Sequence, residues 1–183
     1  MFTIRVYGIL LNNKKQVLVS DEHIRGSYYT KFPGGGLELG EGTRDCLARE
    51  FMEEMNLKVE VGNHIYTTDF YQMSAFRPSD QIIAIYYFAR ALEPITAPLR
   101  TIPFDFDERE KKIYEEKNET ETFRFINWED FSSATVTLPI ENSGRYGKRI
   151  TVNRARSFTN LPFPGPIAGA RGNRVFFFKN IDR

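Results

Sequence analysis

Residues 33–59 read PGGGLELGEGTRDCLAREFMEEMNLKV: a proline, three glycines, then a segment crowded with glutamates. Glycine loses more backbone freedom on folding than any other residue, so three in a row read as a turn where backbone must come close to something. Thr43 to Asn56 reads as a helix, with Thr43 as N-cap and Asp45 in the first turn, where the helix dipole favours an acid. At about 100° per residue, with Glu50 at zero, Glu53 falls at about 300° and Glu54 at about 40°. Leu47, Ala48, Phe51, Met52 and Met55 form a contiguous apolar face beside them. Glu50 and Glu54 are like charges four residues apart, a pairing that normally weakens a helix by a few tenths of a kcal/mol. Arg49 lies one turn before Glu53 and can relieve part of this repulsion. Two readings follow from the wheel: a solvated acidic face, or carboxylates gathered for a hard divalent cation. A glycine-rich backbone just before them suits phosphate, which favours the second reading.

The rest of the chain supplies strands for this helix to pack on. TIRVYGILL (3–11) and QVLVS (16–20), separated by Asn12–Lys15, read as a hairpin. SYYTKF (27–32) is a further strand, and residues 57–72 and 81–92 read as paired long strands. Residues 93–121 read as a connector ending in a charged run, followed by a strand at 122–128 and a short helical turn. A chain of 183 residues, 41% hydrophobic and 27% charged, suits one soluble domain with a full core. The single cysteine, Cys46, excludes an internal disulfide. No run is apolar enough to span a membrane and no leader pattern opens the chain, so a cytoplasmic protein is expected.

Charge divides the chain. From Ala134 to Arg183 there are nine Lys/Arg against two Asp/Glu, so the rest is acidic although the whole carries only +1. Residues 143–183, rich in Gly, Pro and Arg, read as an extension of the domain formed by residues 1–142. That extension offers a dimer contact through RVFFF or an attraction for phosphate. Its basic residues are too scattered to read as a nucleic-acid surface.

The spacing from Gly35 through Glu41, Arg49-Glu50, Phe51, Glu53-Glu54 to Leu57 resembles the 23-residue signature of the Nudix hydrolases. Asn56 stands where the family has glycine, a mild departure, because Asn is the second choice for a left-handed helix end. The resemblance implies an α/β fold, an α/β/α sandwich with a mixed central sheet. It implies a metal-dependent enzyme, using magnesium or manganese, that hydrolyses a pyrophosphate bond in a nucleoside diphosphate linked to another group. By this resemblance Glu50 and Glu54 look like metal ligands, with Glu53 a third or water-mediated one and the Gly35 carbonyl a further one. Arg49 would orient the carboxylates and Glu41 would lock loop to helix. The general base is a glutamate of this helix, Glu53 or Glu54, or one from a loop, Glu119 or Glu121. Tyr29, Lys31, Phe70 and Tyr71 are candidates to contact a base, sugar or phosphate, with Tyr28 beside them. His23 and His64 are isolated and read as structural. The proline of an ADP-ribose-cleaving subgroup is replaced here by Gln72, so the nucleotide is not specified.

Overall fold

The computed structural model describes residues 1–131 together with Thr135 and Val136. The 143–183 extension, and the dimer contact expected of it, lie outside the described residues.

Strand β1 (Phe2–Leu10) is buried on both faces from Val6 onward. It runs parallel to β6 (Gln81–Ala91) and antiparallel to β4 (Gly34–Gly36). Strand β5 (Val59–Thr67) pairs antiparallel with β6, as the sequence predicts, and completes a mixed sheet of order β4-β1-β6-β5. A second sheet stands beside it. There β2 (Gln16–Ile24) is flanked antiparallel by β3 (Ser27–Lys31) and β8 (Glu119–Asn127), with β7 (Leu99–Arg100) at the edge. With helix α1 (Thr43–Met55) and helix α2 (Glu108–Lys117), the result is an α/β fold.

Three expectations about strands and connections change. The expected β1–β2 hairpin survives only at its tip, in the Leu11–Val17 bridge and the Asn12 N–H bond to Gln16 O (3.0 Å). Each strand already has partners on both edges in its own sheet, so neither has a free edge for the other. The three glycines form strand β4 rather than a turn. Gly34 has φ +130°, and a Cβ there would overlap the Val6 carbonyl of the neighbouring strand, so only glycine lets β4 lie against β1. The charged run 105–121 contains α2. Its apolar face is too weak to show a period, and none of its residues is fully buried. A capping box starts it: Asp107 accepts from the Glu110 N–H (2.9 Å) and Glu110 accepts from the Asp107 N–H (2.7 Å).

Helix α1 is seated by Cys46, Leu47, Phe51 and Met55, which join Val6, Leu10, Leu18 and Phe123 in one core cluster. Met52, expected on this apolar face, is exposed. Emptying the Phe51 site with alanine would cost about 3–5 kcal/mol. Gly42, not Thr43, is the N-cap, and the Thr43 hydroxyl instead meets the Tyr87 hydroxyl at 2.8 Å. The helix ends at Asn56 in the left-handed conformation (φ 49°, ψ 44°), with its N–H returned to Met52 O. That end holds Glu53 and Glu54 beside β4.

Candidate active site

The first part of the site is built around Arg49. Its guanidinium grips Glu41 through Nε (3.0 Å) and Nη2 (2.8 Å). The same Nη2 donates to Gly36 O at 3.0 Å, while Nη1 reaches Glu50 (2.9 Å) and Glu53 (3.0 Å). One planar fork therefore ties the loop after β4 to two turns of α1, which a lysine could not do. The hydrogen bonds from Arg49 and from the Glu38 N–H pull the Glu41 carboxyl down to about 2. Glu38 enters the site only through that backbone amide.

The second part is built around Lys31, whose side chain is almost fully buried at the end of β3. Its ammonium donates to Gly34 O (2.7 Å) and pairs with Glu22 (3.0 Å) and Glu54 (3.2 Å). The other Glu54 oxygen accepts from the Gly34 N–H at 3.3 Å. Burial alone would lower the Lys31 pKa, but Glu54 and Glu22 outweigh it and hold it well above its usual value. Glu121, which accepts from the Ser20 hydroxyl at 3.0 Å, is pushed up to about 8, first by burial and then by the Glu54 charge. Glu54 is likewise raised, chiefly by burial. Negative charge here exceeds what one lysine neutralises.

Both parts open on a cleft of about 720 Å³. Glu22, Lys31, the three glycines, Glu50, Glu53, Glu54, Glu119 and Glu121 all face it. Arg49 and Glu41 stand behind that wall. Tyr29, Phe70 and Tyr71 are not on its walls, although Tyr29 sets its ring edge-on to Phe76, which is (5.7 Å). Tyr28 stacks instead on His23, which is sandwiched between Tyr28 (4.3 Å) and Tyr114 (3.7 Å) away from the cleft. Glu22 and Phe76 are site residues that the sequence analysis did not pick out, and Gln72, noted there only as standing in place of a subgroup's proline, also lines the cleft. Glu22 had a signal: Asp21-Glu22 continues a run of strand formers, and an acid inside a strand needs a partner. Asp21 finds one in Arg124, its buried neighbour on β8.

The donor set suits a hard divalent cation, because it offers carboxylates and glycine backbone and no soft ligand. Gly35 lies so close to the Glu50 carboxylate that a Cβ there would overlap it. Among the described residues, no three His, Cys, Asp or Glu groups are already drawn together to hold an ion. Arg49 holds Glu50 and Glu53, and Lys31 holds Glu54. The raised Glu54 and Glu121 show the unmet demand for positive charge that such an ion would answer.

Fold and site together define an α/β domain that presents a glutamate-rich helix to a glycine strand at the mouth of an acidic cleft. A family model described as the NUDIX domain matches residues 1–143, and the chain belongs to that family. Among solved structures it is similar to a NUDIX hydrolase from Nitrosomonas europaea, at 17% identity and TM-score 0.45, covering 51% of this chain and 61% of that one. It is similar to an ADP-ribose pyrophosphatase from Streptococcus suis, at 17% identity and TM-score 0.42, covering 52% and 65%. A third is from work on MutT from Aliivibrio salmonicida and Vibrio cholerae, at 18% identity and TM-score 0.46, covering 76% and 90%. The chain thus spans about three fifths of the length of the first of these. Among the described residues no helix is long and apolar enough to cross a membrane.

Proposed function

We propose that this protein is a pyrophosphohydrolase. It cleaves a pyrophosphate bond in a nucleoside diphosphate joined to another group, such as a nucleotide sugar, a dinucleotide or a nucleoside triphosphate. The observation that carries this reading is the surplus of half-buried carboxylate around the buried Lys31, set on the cleft wall at the end of the signature helix.

Glu50, Glu53 and Glu54, with the Gly35 carbonyl, would hold magnesium or manganese. When bound, the ion supplies charge neutralisation at the phosphate oxygens and a more acidic water. Arg49 and Glu41 fix the orientation of the helix carboxylates. Lys31 is placed to exchange Glu54 for a phosphate oxygen, because its partners on the cleft wall are all anionic or carbonyl oxygens. Glu121 is the stronger of the two loop candidates for general base. It is half-buried with its carboxyl pushed up to about 8, close to the pH range where a base is most effective, whereas Glu119 is exposed at the start of β8. In this reading residues 1–142 are the catalytic domain of a cytoplasmic enzyme and residues 143–183 an extension of it.

The test is a panel of ADP-sugars, dinucleotides and nucleoside triphosphates with magnesium, assayed for nucleotide release with wild type and Glu54→Gln. Product from wild type and none from the variant is the expected result. Tight binding of one member without hydrolysis would instead make the protein a nucleotide sensor.

A further inference from the structure

The loop between β5 and β6 is firmly tied down, yet it leaves a polar atom without a partner. The Thr68 N–H bonds Ala84 O (2.9 Å), and the Thr68 hydroxyl accepts from the Ala84 N–H (2.9 Å). Ile82 N–H bonds Gln72 O (2.8 Å) and Ser74 N–H bonds Asp80 O (2.9 Å). The Ser74 hydroxyl accepts from the N–H groups of Phe76 (3.3 Å) and Arg77 (3.2 Å). Within this framework the Gln72 side chain is buried at 3% exposure and lines the cleft. Its Nε2 donates to Met73 O at 3.0 Å, which fixes the amide orientation and leaves Oε1 as a buried acceptor with no hydrogen bond. Among the described residues it is the one such side-chain atom. A buried acceptor left unpaired is unfavourable, and in a rigid loop on a cleft wall a ligand donor can complete it.

The same loop also leaves apolar surface in water. Phe76 and Met73 line the cleft at 39% and 47% exposure. Tyr29 buttresses Phe76 edge-on from β3. An exposed ring held from behind, on the same cleft wall as a residue with a partnerless carbonyl oxygen, has the chemistry of a nucleobase seat: a stacking face and an acceptor for an amine N–H. The oxygen is closed off from solvent, so a base edge reaches it by displacing a neighbouring side chain. Met73, unbranched and half in water, can move at small cost.

We propose that the 68–80 loop is the base-reading part of the cleft. It selects a base with an exocyclic amine at purine C6 or pyrimidine C4, adenine or cytosine, through Gln72 Oε1 and stacking on Phe76. Tyr29 is then a positioning residue behind Phe76. This rests on the reading that the cleft takes a nucleotide, and it narrows that class. A carbonyl in place of the amine, as in hypoxanthine or uracil, sets acceptor against acceptor.

The experiment is calorimetric binding of nucleoside monophosphates to the full chain, comparing AMP with IMP and CMP with UMP. Monophosphates hold no pyrophosphate bond, so no turnover interferes. The expected result is about tenfold tighter binding of the amine-bearing member of each pair, the usual scale for leaving a buried acceptor unpaired. Gln72→Met should bring both ratios close to one, while Gln72→Glu, which keeps an acceptor, should preserve the preference. Phe76→Ala, at an exposed position and so safe for folding, should weaken AMP and CMP about tenfold through lost stacking. Equal binding within each pair, no binding at millimolar concentration, or an unchanged Phe76→Ala overturns the inference. If the preference holds but no substrate is hydrolysed, the base seat stands and the hydrolase reading falls. Hydrolysis without the preference removes the base seat alone.

Discussion

Arg49 and Lys31 each sit among three carboxylates, yet Glu41 beside Arg49 and Glu54 beside Lys31 are driven in opposite directions. Around Arg49, at the rim of the domain, Glu41 is pulled down to about 2. Around Lys31, in the interior, Glu54 is raised and Glu121 is pushed up to about 8. The count of charges is the same; geometry and burial differ. Arg49 spends its donors in a planar fork with water nearby, so the Glu41 carboxylate is more stable ionised than a free one. Lys31 is a point charge in a desolvated pocket, and Glu121 is not bonded to it among the contacts above, so Glu54 and Glu121 are costly as anions. The Arg49 part is complete and works as a lock. The Lys31 part has a shortfall of positive charge and marks where chemistry can be done.

The largest expected effect belongs to the incomplete part. Glu54→Gln should lower kcat on the order of 10³-fold, measured as nucleotide release under saturating magnesium. Its midpoint of thermal unfolding should stay close to wild type, because Lys31 keeps Glu22 and Gly34 O. A large fall in the midpoint would show that Glu54 is a structural partner of Lys31 first and a site residue second.

Glu121 tests the same contrast through pH. Its folded pKa of about 8 lies above the ordinary carboxylate value of 4.5. The folded state therefore holds a proton that the unfolded state has released. That contribution to stability is fully present below pH 4.5 and is lost as pH rises toward 8. Urea midpoints of wild type should fall over this interval, and Glu121→Gln should flatten the slope. Magnesium, which favours the ionised form, should restore more stability at pH 8 than at pH 5. As a base, Glu121 should also give activity that rises with pH, and its replacement should cut kcat about 10²-fold. A pH-independent urea midpoint in wild type would mean that the cluster is already neutralised from within.

Arg49→Lys should do less to chemistry and more to the fold. Lysine cannot reproduce two bonds to Glu41, one to Gly36 O and two along the helix. The thermal midpoint should drop by roughly 5 °C, and kcat/KM should fall about tenfold as the helix carboxylates lose their orientation. If kcat/KM falls as far as in Glu54→Gln while the midpoint holds, Arg49 belongs with the reacting groups and the contrast drawn above fails.

What the sequence made legible follows from where the information lies. The wheel over 43–56 was enough to place Glu50, Glu53 and Glu54 on one side and Arg49 at their border, because helical periodicity is local. The left-handed Asn56 was readable for the same reason. Lys31 is nameable from the sequence, but its meeting with Glu22 and Ser20 depends on the pairing of β2 with β3 and β8, a long-range register that no one window specifies. The β1–β2 hairpin failed because local turn chemistry cannot tell whether the strand edges are already taken. Helix α2 lacks an apolar face, and its one legible mark, Asp107 with Glu110 three residues on, was hidden in a charged run. The glycines told of close approach without telling that the thing approached was Val6 rather than a ligand alone.

The smallest effect expected is at Cys46, which sits at the Arg49 side of the helix. Its thiol donates to Gly36 O at 3.4 Å and lies 3.7 Å from Arg49 Nη2. Burial, reinforced by Glu41, pushes it up to about 12. The thiol stays protonated at neutral pH, and its contribution to stability is intact below pH 9 and lost as pH climbs toward 12. An aromatic disulfide reagent at pH 8 should therefore label native protein at least ~100-fold more slowly than protein in denaturant. Cys46→Ser should leave activity within about twofold, since the thiol touches backbone and lock rather than the Lys31 cluster. In Arg49→Lys the labelling should accelerate, because the end of β4 at Gly36 and the loop carrying Glu41 are then free to lift from the helix. Fast labelling of the wild type would mean that the corner opens by itself, and that the part described as a lock is the more mobile of the two.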